Sequence, residues 1–363
     1  MSIIKAILQK AVSLDASDIH LKTNEPPFFR IHGELSNSEF PKMSADDLKC
    51  VVIDILPEHI KRKSDPENEM DFSHYEEEVG RFRVNVFLSH HVPTLALRHV
   101  KTEIPSIADL HLPVILEQLM KVNSGIIMVC GATSSGKSTT LAAMIHCINT
   151  TRRDRIITVE DPVEYVFKDI RSVITQREVG LDTPSFHSAL KHVLRQDPDV
   201  IMIGEMRDQV SLSVALSAAE TGHVVLSTLH STTAAQSIHR ILSFFPADER
   251  EQVRLAVAAN LTAILCQRLV AAIRGGVLPA VEIMLNTPTV HKLLLSNKLE
   301  TLFAAIETGK EDGMQTFNQA FFKLIKSGQI TEKEGLAQSP NPETLKMNLQ
   351  GIFLDEGHRI LGE

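Results

Sequence analysis

Eight consecutive residues, Gly131-Ala132-Thr133-Ser134-Ser135-Gly136-Lys137-Ser138, match the pattern GxxxxGK[ST] in full, with Thr139 following. Residue types at that spacing build a phosphate cradle. Glycines let backbone N–H groups curl round one anion, a helix N-terminus adds positive potential, a lysine neutralises β/γ charge, and a hydroxyl ligates Mg²⁺. Residues 131–139 are therefore expected to bind ATP, with Lys137 on the phosphates and Ser138 on Mg²⁺.

Further carboxylates and imidazoles fit the same chemistry. Asp199-Val200-Ile201-Met202-Ile203-Gly204-Glu205 is an apolar run closed by a glutamate. At the C-terminal end of a parallel strand such a residue faces the phosphate crevice and can order Mg²⁺ through water, or it can cap the next helix. The phosphate loop favours the first role for Glu205. Glu160-Asp161-Pro162-Val163-Glu164 follows another apolar run, Arg155–Val159. Hydrolysis needs a carboxylate to orient and deprotonate water, which Glu160 or Glu164 could supply; a proline-fixed turn with a helix cap is the alternative. His223 and His230 bracket a further strand-like run. A neutral imidazole there could contact a γ-phosphate, or both could be ordinary strand-end histidines. Their spacing across a strand and loop lacks the i, i+4 geometry and cysteine partners of a metal site.

A phosphate loop must be entered by a strand and left by a helix. Ile126–Cys130 supplies the strand, and Leu141, Met144, Ile145 and Ile148 give the helix an apolar stripe. Ile126–Cys130, Arg155–Val159, Val200–Ile203 and His223–Thr228 alternate with helical segments, which predicts a mainly parallel α/β sheet with helices on both faces. This unit is expected over residues 114–272. Residues 1–103 read as an α+β domain: a helical stripe from Ile3 to Val12, strand-like sequence from Ser17, turns at Pro26-Pro27 and His32-Gly33, a helix over Ser44–Lys63, and strands at Asp71-Phe72, Arg81–Phe87 and Thr94–Arg98. Phe82, Val84 and Val86 alternate with Arg81, Arg83 and Asn85, so the pleat sets both arginines opposite the apolar face. Arg98 likewise points away from Leu95 and Leu97. Within the stretch from Lys101 to Pro113, residues 104–113 form the expected linker, with a short helix. Residues 273–363 are expected to be helical, with a capping box at Thr316 and Gln319 and a stop at Gly328.

Composition narrows the class. The chain has 363 residues, 43% of them hydrophobic, with 37 Lys plus Arg against 45 Asp plus Glu and a formal charge of −8. That suits two or three globular domains and lacks the broad basic field of a nucleic-acid binder, so no nucleic-acid partner is expected. No apolar run approaches the roughly 20 residues that span a bilayer, so no transmembrane segment is expected. Lys5 and Lys10 interrupt any signal-peptide core. Cys50, Cys130, Cys147 and Cys266 contain no CxxC, which predicts a reducing cytoplasm and no structural zinc.

With these motifs in place the sequence resembles the PilT/PilU retraction ATPases of type IV pili, within the type II/IV secretion ATPase superfamily. The resemblance runs through Ala16-Ser17-Asp18-Ile19-His20-Leu21, Gly80-Arg81-Phe82-Arg83-Val84-Asn85, the phosphate loop, and Val159–Tyr165. It continues in Gln176-Arg177-Glu178-Val179-Gly180, Asp197–Asp208, Ala218–His223 through Thr228-Leu229-His230, and Gly313-Met314-Gln315-Thr316-Phe317. It implies a PAS-like α+β domain, a RecA-like P-loop ATPase domain and a helical C-terminal region, assembled as a homo-hexamer on an inner-membrane pilus platform protein at the cytoplasmic face. It also implies Glu164 as catalytic base, Glu205 as the Walker B residue, His223 and His230 as the His-box pair, and Arg81, Arg83 and Arg98 as arginines offered to phosphate.

One stretch departs from the family. Where PilT-type ATPases carry an AIRNLIRE-like segment, this chain has Thr289-Val290-His291-Lys292-Leu293-Leu294-Leu295-Ser296, without either arginine. Val179–Thr183, Leu285–Pro288 and the tail after Gln338 look closer to PilU, so a role as helper to a PilT-type paralogue is expected. Two other classes compete: a nucleotide-sensing ring subunit with little turnover, against which Glu164 and Glu205 argue, and a RecA-like nucleic-acid motor, against which the acidic balance argues.

Overall fold

The structure, a computed structural model, describes residues 2–31, 33–57, 61, 69–100 and 103–352. The chain divides into two units. The first comprises Met1–Glu103, Asp161–Phe167 and Glu178–Pro184; the second comprises Ile104–Glu160, Lys168–Arg177 and Ser185–Glu363.

In the first unit, apolar residues at helical spacing build α1 (Ile3–Ser13), which buries Ile4, Ile7, Leu8 and Ala11. Ser2 caps it by accepting from the Lys5 amide. β1 (Ala16–Leu21), β2 (Phe28–Ile31) and β3 (Glu34–Asn37) follow, then α2 (Ala45–Ile55), which opens on a capping box between Ser44 and Asp47. β4 (Met70–Glu76), β5 (Gly80–Ser89) and β6 (Val92–His99) complete a six-stranded sheet of order β3-β2-β1-β6-β5-β4. The pleat of β5 buries Phe82, Val84 and Val86 and leaves Arg83 exposed, as period-two alternation requires. These side chains share one core with α1, α2, Phe29, Leu95 and Leu97.

The second unit opens with a turn at Ile107–His111 where a short helix was expected, and a brief helix, α3 (Ile115–Leu119), comes after it. β7 (Gly125–Cys130) then leads through the phosphate loop to α4 (Lys137–Thr151). β8 (Arg155–Glu160), β9 (Val173–Glu178), α5 (Phe186–Val193), β10 (Val200–Ile203), α6 (Gln209–Glu220), β11 (Val224–Leu229), α7 (Ala234–Ser243), α8 (Arg250–Asn260), β12 (Leu261–Ala271) and β13 (Val277–Leu285) follow. The sheet order is β13-β12-β7-β11-β10-β8-β9. β12, β7, β11, β10 and β8 run parallel, and β13 runs antiparallel to β12. Every residue of β7, β10 and β11 is buried, which is why these strands read as unbroken apolar runs.

The expected boundary at 272/273 falls inside a hairpin. β12 and β13 pair from Ala271↔Val277 to Ala263↔Leu285, and the turn between them uses Gly275 and Gly276 at φ 88° and 75°. The sheet therefore continues to Leu285, and the helical region begins with α9 (Pro288–Leu295), followed by α10 (Leu302–Thr308), α11 (Phe317–Lys326), α12 (Glu332–Gln338) and α13 (Pro342–Leu349). The Thr316/Gln319 capping box opens α11. His32 of the expected turn, residues 58–60, Arg62 and Lys63 toward the end of the expected helix, Lys101 and Thr102 before the linker, and tail residues 353–363 lie outside the described residues. Among the described residues no helix is long and apolar enough to cross a membrane, and no group of three or more His, Cys, Asp and Glu residues could hold a metal ion.

Candidate active site

Parallel register brings the functional segments of the second unit to one edge. Ile203 is level with Val159 and Ser227, and Leu229 is level with Cys130, so the residues that follow each strand meet where topology places ligands. The phosphate loop leaves β7 there. Gly131 and Gly136 adopt φ 154° and 86°, and Ser134 is left-handed at φ 62°. Glycine is required at both ends: an added Cβ would run into Ser135 Oγ at Gly131 and would lie 2.7 Å from Gln267 Nε2 at Gly136.

Lys137 folds back over the loop, its Nζ donating to the carbonyls of Gly131 at 3.0 Å and Ala132 at 2.7 Å. Burial lowers its ammonium below the usual lysine range, while the Glu205 carboxylate and Cys130 pull it back up. Ser135 Oγ is buried without a hydrogen-bond partner. An orphaned buried hydroxyl costs about 1–3 kcal/mol, and a phosphate oxygen seated in the loop is a partner of the right chemistry. Ser138 is exposed at the start of α4, and a serine hydroxyl and a carboxylate such as that of Glu205 are hard-oxygen donors of the kind Mg²⁺ prefers. The residues present thus fit both nucleotide phosphate and Mg²⁺.

Glu205 is held by its neighbours. Gly204 donates to the Val159 carbonyl at 2.8 Å and Met206 to that of Thr228 at 2.9 Å, fixing the turn between them. The Glu205 carboxylate accepts from Arg207 Nε at 2.8 Å and lies 3.3 Å from His230 Nε2. The structure therefore brings Lys137, Glu205 and His230 together. It does not bring His223 to them: His223 precedes β11, at the opposite end of that strand, where Nδ1 lies 2.9 Å from the Ala218 carbonyl at the end of α6. Glu160 is also withdrawn, buried and accepting from Thr158 at 2.6 Å and Gln176 at 3.0 Å.

In the first unit Glu164 is exposed within the segment Asp161–Phe167. Its neighbour Val163 is fixed, donating its N–H to Glu178 Oε2 at 3.0 Å. All three arginines have carboxylate partners: Arg81 with Glu178 at 2.6 Å, Arg98 with Asp18 at 2.8 Å, and Arg83 with Asp71 at 3.6 Å. Arg83 and Arg98 sit opposite one another across β5 and β6, a like-charge pairing that counter-anions relieve. Burial raises the Asp18 carboxyl, but the Ser17 hydroxyl and Arg98 outweigh it and hold the group below its usual range.

Sequence reasoning missed a buried polar layer behind the loop. Cys130 and Cys266 are register partners on β7 and β12, both fully buried, and burial pushes the Cys266 thiol well up. Ser237 in α7 lies 3.9 Å from Cys266 Sγ and 2.6 Å from Ser231, the residue after His230. Glu282 on β13 accepts from the Ala234 amide at the start of α7 at 2.8 Å. Thr140 and Gln267 bond to each other at 2.7 Å. The available signal was a polar residue inside an apolar run, as at Gln267 and Glu282.

The type II/IV secretion system protein family matches residues 1–286. The chain is 37% identical to the type IV pilus ATPase PilU of Pseudomonas aeruginosa over 354 residues, covering 97% of this chain and 93% of that protein. It is 36% identical to the type IV pilus retraction ATPase PilT of the same organism over 340 residues, covering 94% and 99%. A crystal structure of the pilus retraction motor PilT with bound ADP matches it with a TM-score of 0.88 at 42% identity, over 95% of this chain and 99% of that one. A loop shaped for nucleotide phosphates, set on this sheet and matched along nearly the whole chain, places the protein in the type II/IV secretion system protein family, as one of its ATPases.

Proposed function

We propose that the chain is a hexameric motor powering type IV pilus retraction and twitching motility through Mg²⁺-dependent ATP hydrolysis, in the manner of PilU beside a PilT-type paralogue. The observation that carries this is likeness to PilU over 97% of this chain and 93% of that protein. It spans the first unit and the helical region as well as the phosphate loop. The departure at Thr289–Ser296 favours the helper role over retraction driven alone.

Residues 131–139 take the phosphates, and Lys137 exchanges the Gly131 and Ala132 carbonyls for phosphate oxygens. Ser138 and Glu205, the latter through water, would hold Mg²⁺, which when bound neutralises phosphate charge. Glu164 takes the proton of the attacking water. His230, beside Glu205, responds to loss of the γ-phosphate; His223 has no chemical step in its own subunit. Arg81, Arg83 and Arg98 are the arginines offered to phosphate, where their charge offsets that of the transition state. The ring works from the cytoplasmic face of the inner membrane against a pilus platform protein.

The test is pilus retraction in strains lacking this chain, its nearest PilT-type paralogue, or both, complemented with the unaltered chain or Lys137→Ala. The proposal expects weakened retraction without the chain, restored by the unaltered protein and not by Lys137→Ala. Retraction indifferent to the chain in both backgrounds overturns it.

A further inference from the structure

Behind the phosphate loop lies a residue outside its motif. Gln267 follows Cys266 in β12, the strand beside β7, and is 4% exposed. Both ends of its side-chain amide are engaged. Oε1 accepts from the Thr140 hydroxyl at 2.7 Å, and Nε2 donates to the Ser135 carbonyl at 2.8 Å. Ser135 belongs to the loop and Thr140 to the first turn of α4, so one buried amide ties the loop to the helix that leaves it. The loop's glycines close on the same residue: a Cβ at Gly131 would lie 2.6 Å from the Gln267 carbonyl oxygen, and one at Gly136 would lie 2.7 Å from Nε2.

The consequence follows from the planarity of the peptide bond. In a trans peptide the carbonyl and the following N–H point in opposite directions. Holding the Ser135 carbonyl on Gln267 therefore directs the Gly136 N–H away from β12. Only an amide side chain suits both contacts. Glutamate would set a second acceptor against the Ser135 carbonyl, and methionine would fill the volume with neither donor nor acceptor.

We infer that Gln267 is a positioning residue for nucleotide binding: through Ser135 and Thr140 it sets the loop curvature that aims backbone N–H groups at phosphate. The inference rests on the ATPase reading of residues 131–139. Without Gln267 the cradle must be ordered at the moment of binding, which weakens affinity for the nucleotide.

Titration of the purified full-length chain with fluorescent mant-ADP and Mg²⁺, alongside its melting midpoint without nucleotide, tests this. Gln267→Met and Gln267→Glu are expected to raise Kd by about tenfold or more. Thr140→Val keeps the side-chain shape and the Thr140 N–H bond to the Gly136 carbonyl at 3.0 Å but leaves Gln267 Oε1 without its donor. It is expected to raise Kd and to lower the midpoint modestly, and Thr140→Ser to return both to those of the unaltered chain. The Gln267→Met/Thr140→Val double variant should bind no worse than the weaker single variant, because both break the same link. Binding by Gln267→Met and Thr140→Val equal to that of the unaltered chain overturns the inference while leaving the ATPase reading intact. Absence of binding by the unaltered chain would remove that reading, and the inference with it.

Discussion

Arg81 donates to Glu178 at 2.6 Å, into a carboxylate only 3% exposed. The same carboxylate accepts from Ser73 Oγ at 2.6 Å and from the Val163 amide at 3.0 Å. Glu178 thus joins an arginine of β5 to the segment that carries Glu164.

Removing one member of a buried pair strands the other charge, whereas an exposed pair contributes little. Arg81→Ala is expected to lower stability by about 3–5 kcal/mol. Arg83→Ala, whose pair with Asp71 is solvent-exposed, should cost under ~1 kcal/mol. Chemical denaturation followed on the first unit separates the two; equal, small losses would remove the structural role of the Arg81–Glu178 pair.

Glu205→Gln keeps the side-chain shape and removes the charge facing Arg207, His230 and Lys137. Nucleotide binding without Mg²⁺ should persist, while ATP turnover falls by roughly 100-fold or more through lost transition-state electrostatics. Phosphate release together with nucleotide titration reads both. Turnover above half that of the unaltered protein would deny Glu205 its part.

Burial raises the Glu282 carboxyl above the usual glutamate value of 4.5, against the lowering effect of the Ala234 and Phe317 amides and Arg268. A folded pKa above the unfolded one means that the folded chain binds more proton in that window. Stability contributed by this group is therefore complete below 4.5 and declines as pH rises through the raised value. Glu282→Gln removes that decline. The stability difference, variant minus unaltered chain, should climb with pH across this window in denaturation midpoints; a flat difference contradicts the shift.

Gly136 combines a φ of 86° with a Cβ position 2.7 Å from Gln267 Nε2. Gly136→Ala should strain the backbone by about 1–2 kcal/mol and displace the loop from Gln267. Weakened mant-ADP binding is the expected result, and unchanged affinity would show that the loop tolerates a side chain there.

What sequence conveyed was local. The phosphate loop, its strand and helix, and the alternating faces of β5 each follow from a short pattern whose period or turn residues fix the outcome. The β12–β13 hairpin was missed because β12 is buried along most of its length, and a buried strand shares its apolar run with a buried helix. The arginine partners were missed for a different reason: Glu178 lies 97 positions from Arg81, and no local pattern encodes a contact at that range. Gln267, 132 positions from Ser135, was hidden in the same way. Glu160 and Glu164 both entered as carboxylates that follow the Arg155–Val159 run, and family resemblance chose Glu164, since an exposed glutamate after a proline has no periodicity to mark it.

ATP hydrolysis at the 131–139 loop is tested most directly by steady-state phosphate release from the purified full-length protein, with Mg²⁺, beside Lys137→Ala and Glu164→Gln. Mg²⁺-dependent turnover by the unaltered chain is predicted, falling by about 100-fold or more in both variants while their fold is retained. Turnover unchanged in either variant would contradict the assignment of that residue, and turnover unchanged in both would contradict an ATPase built on this loop.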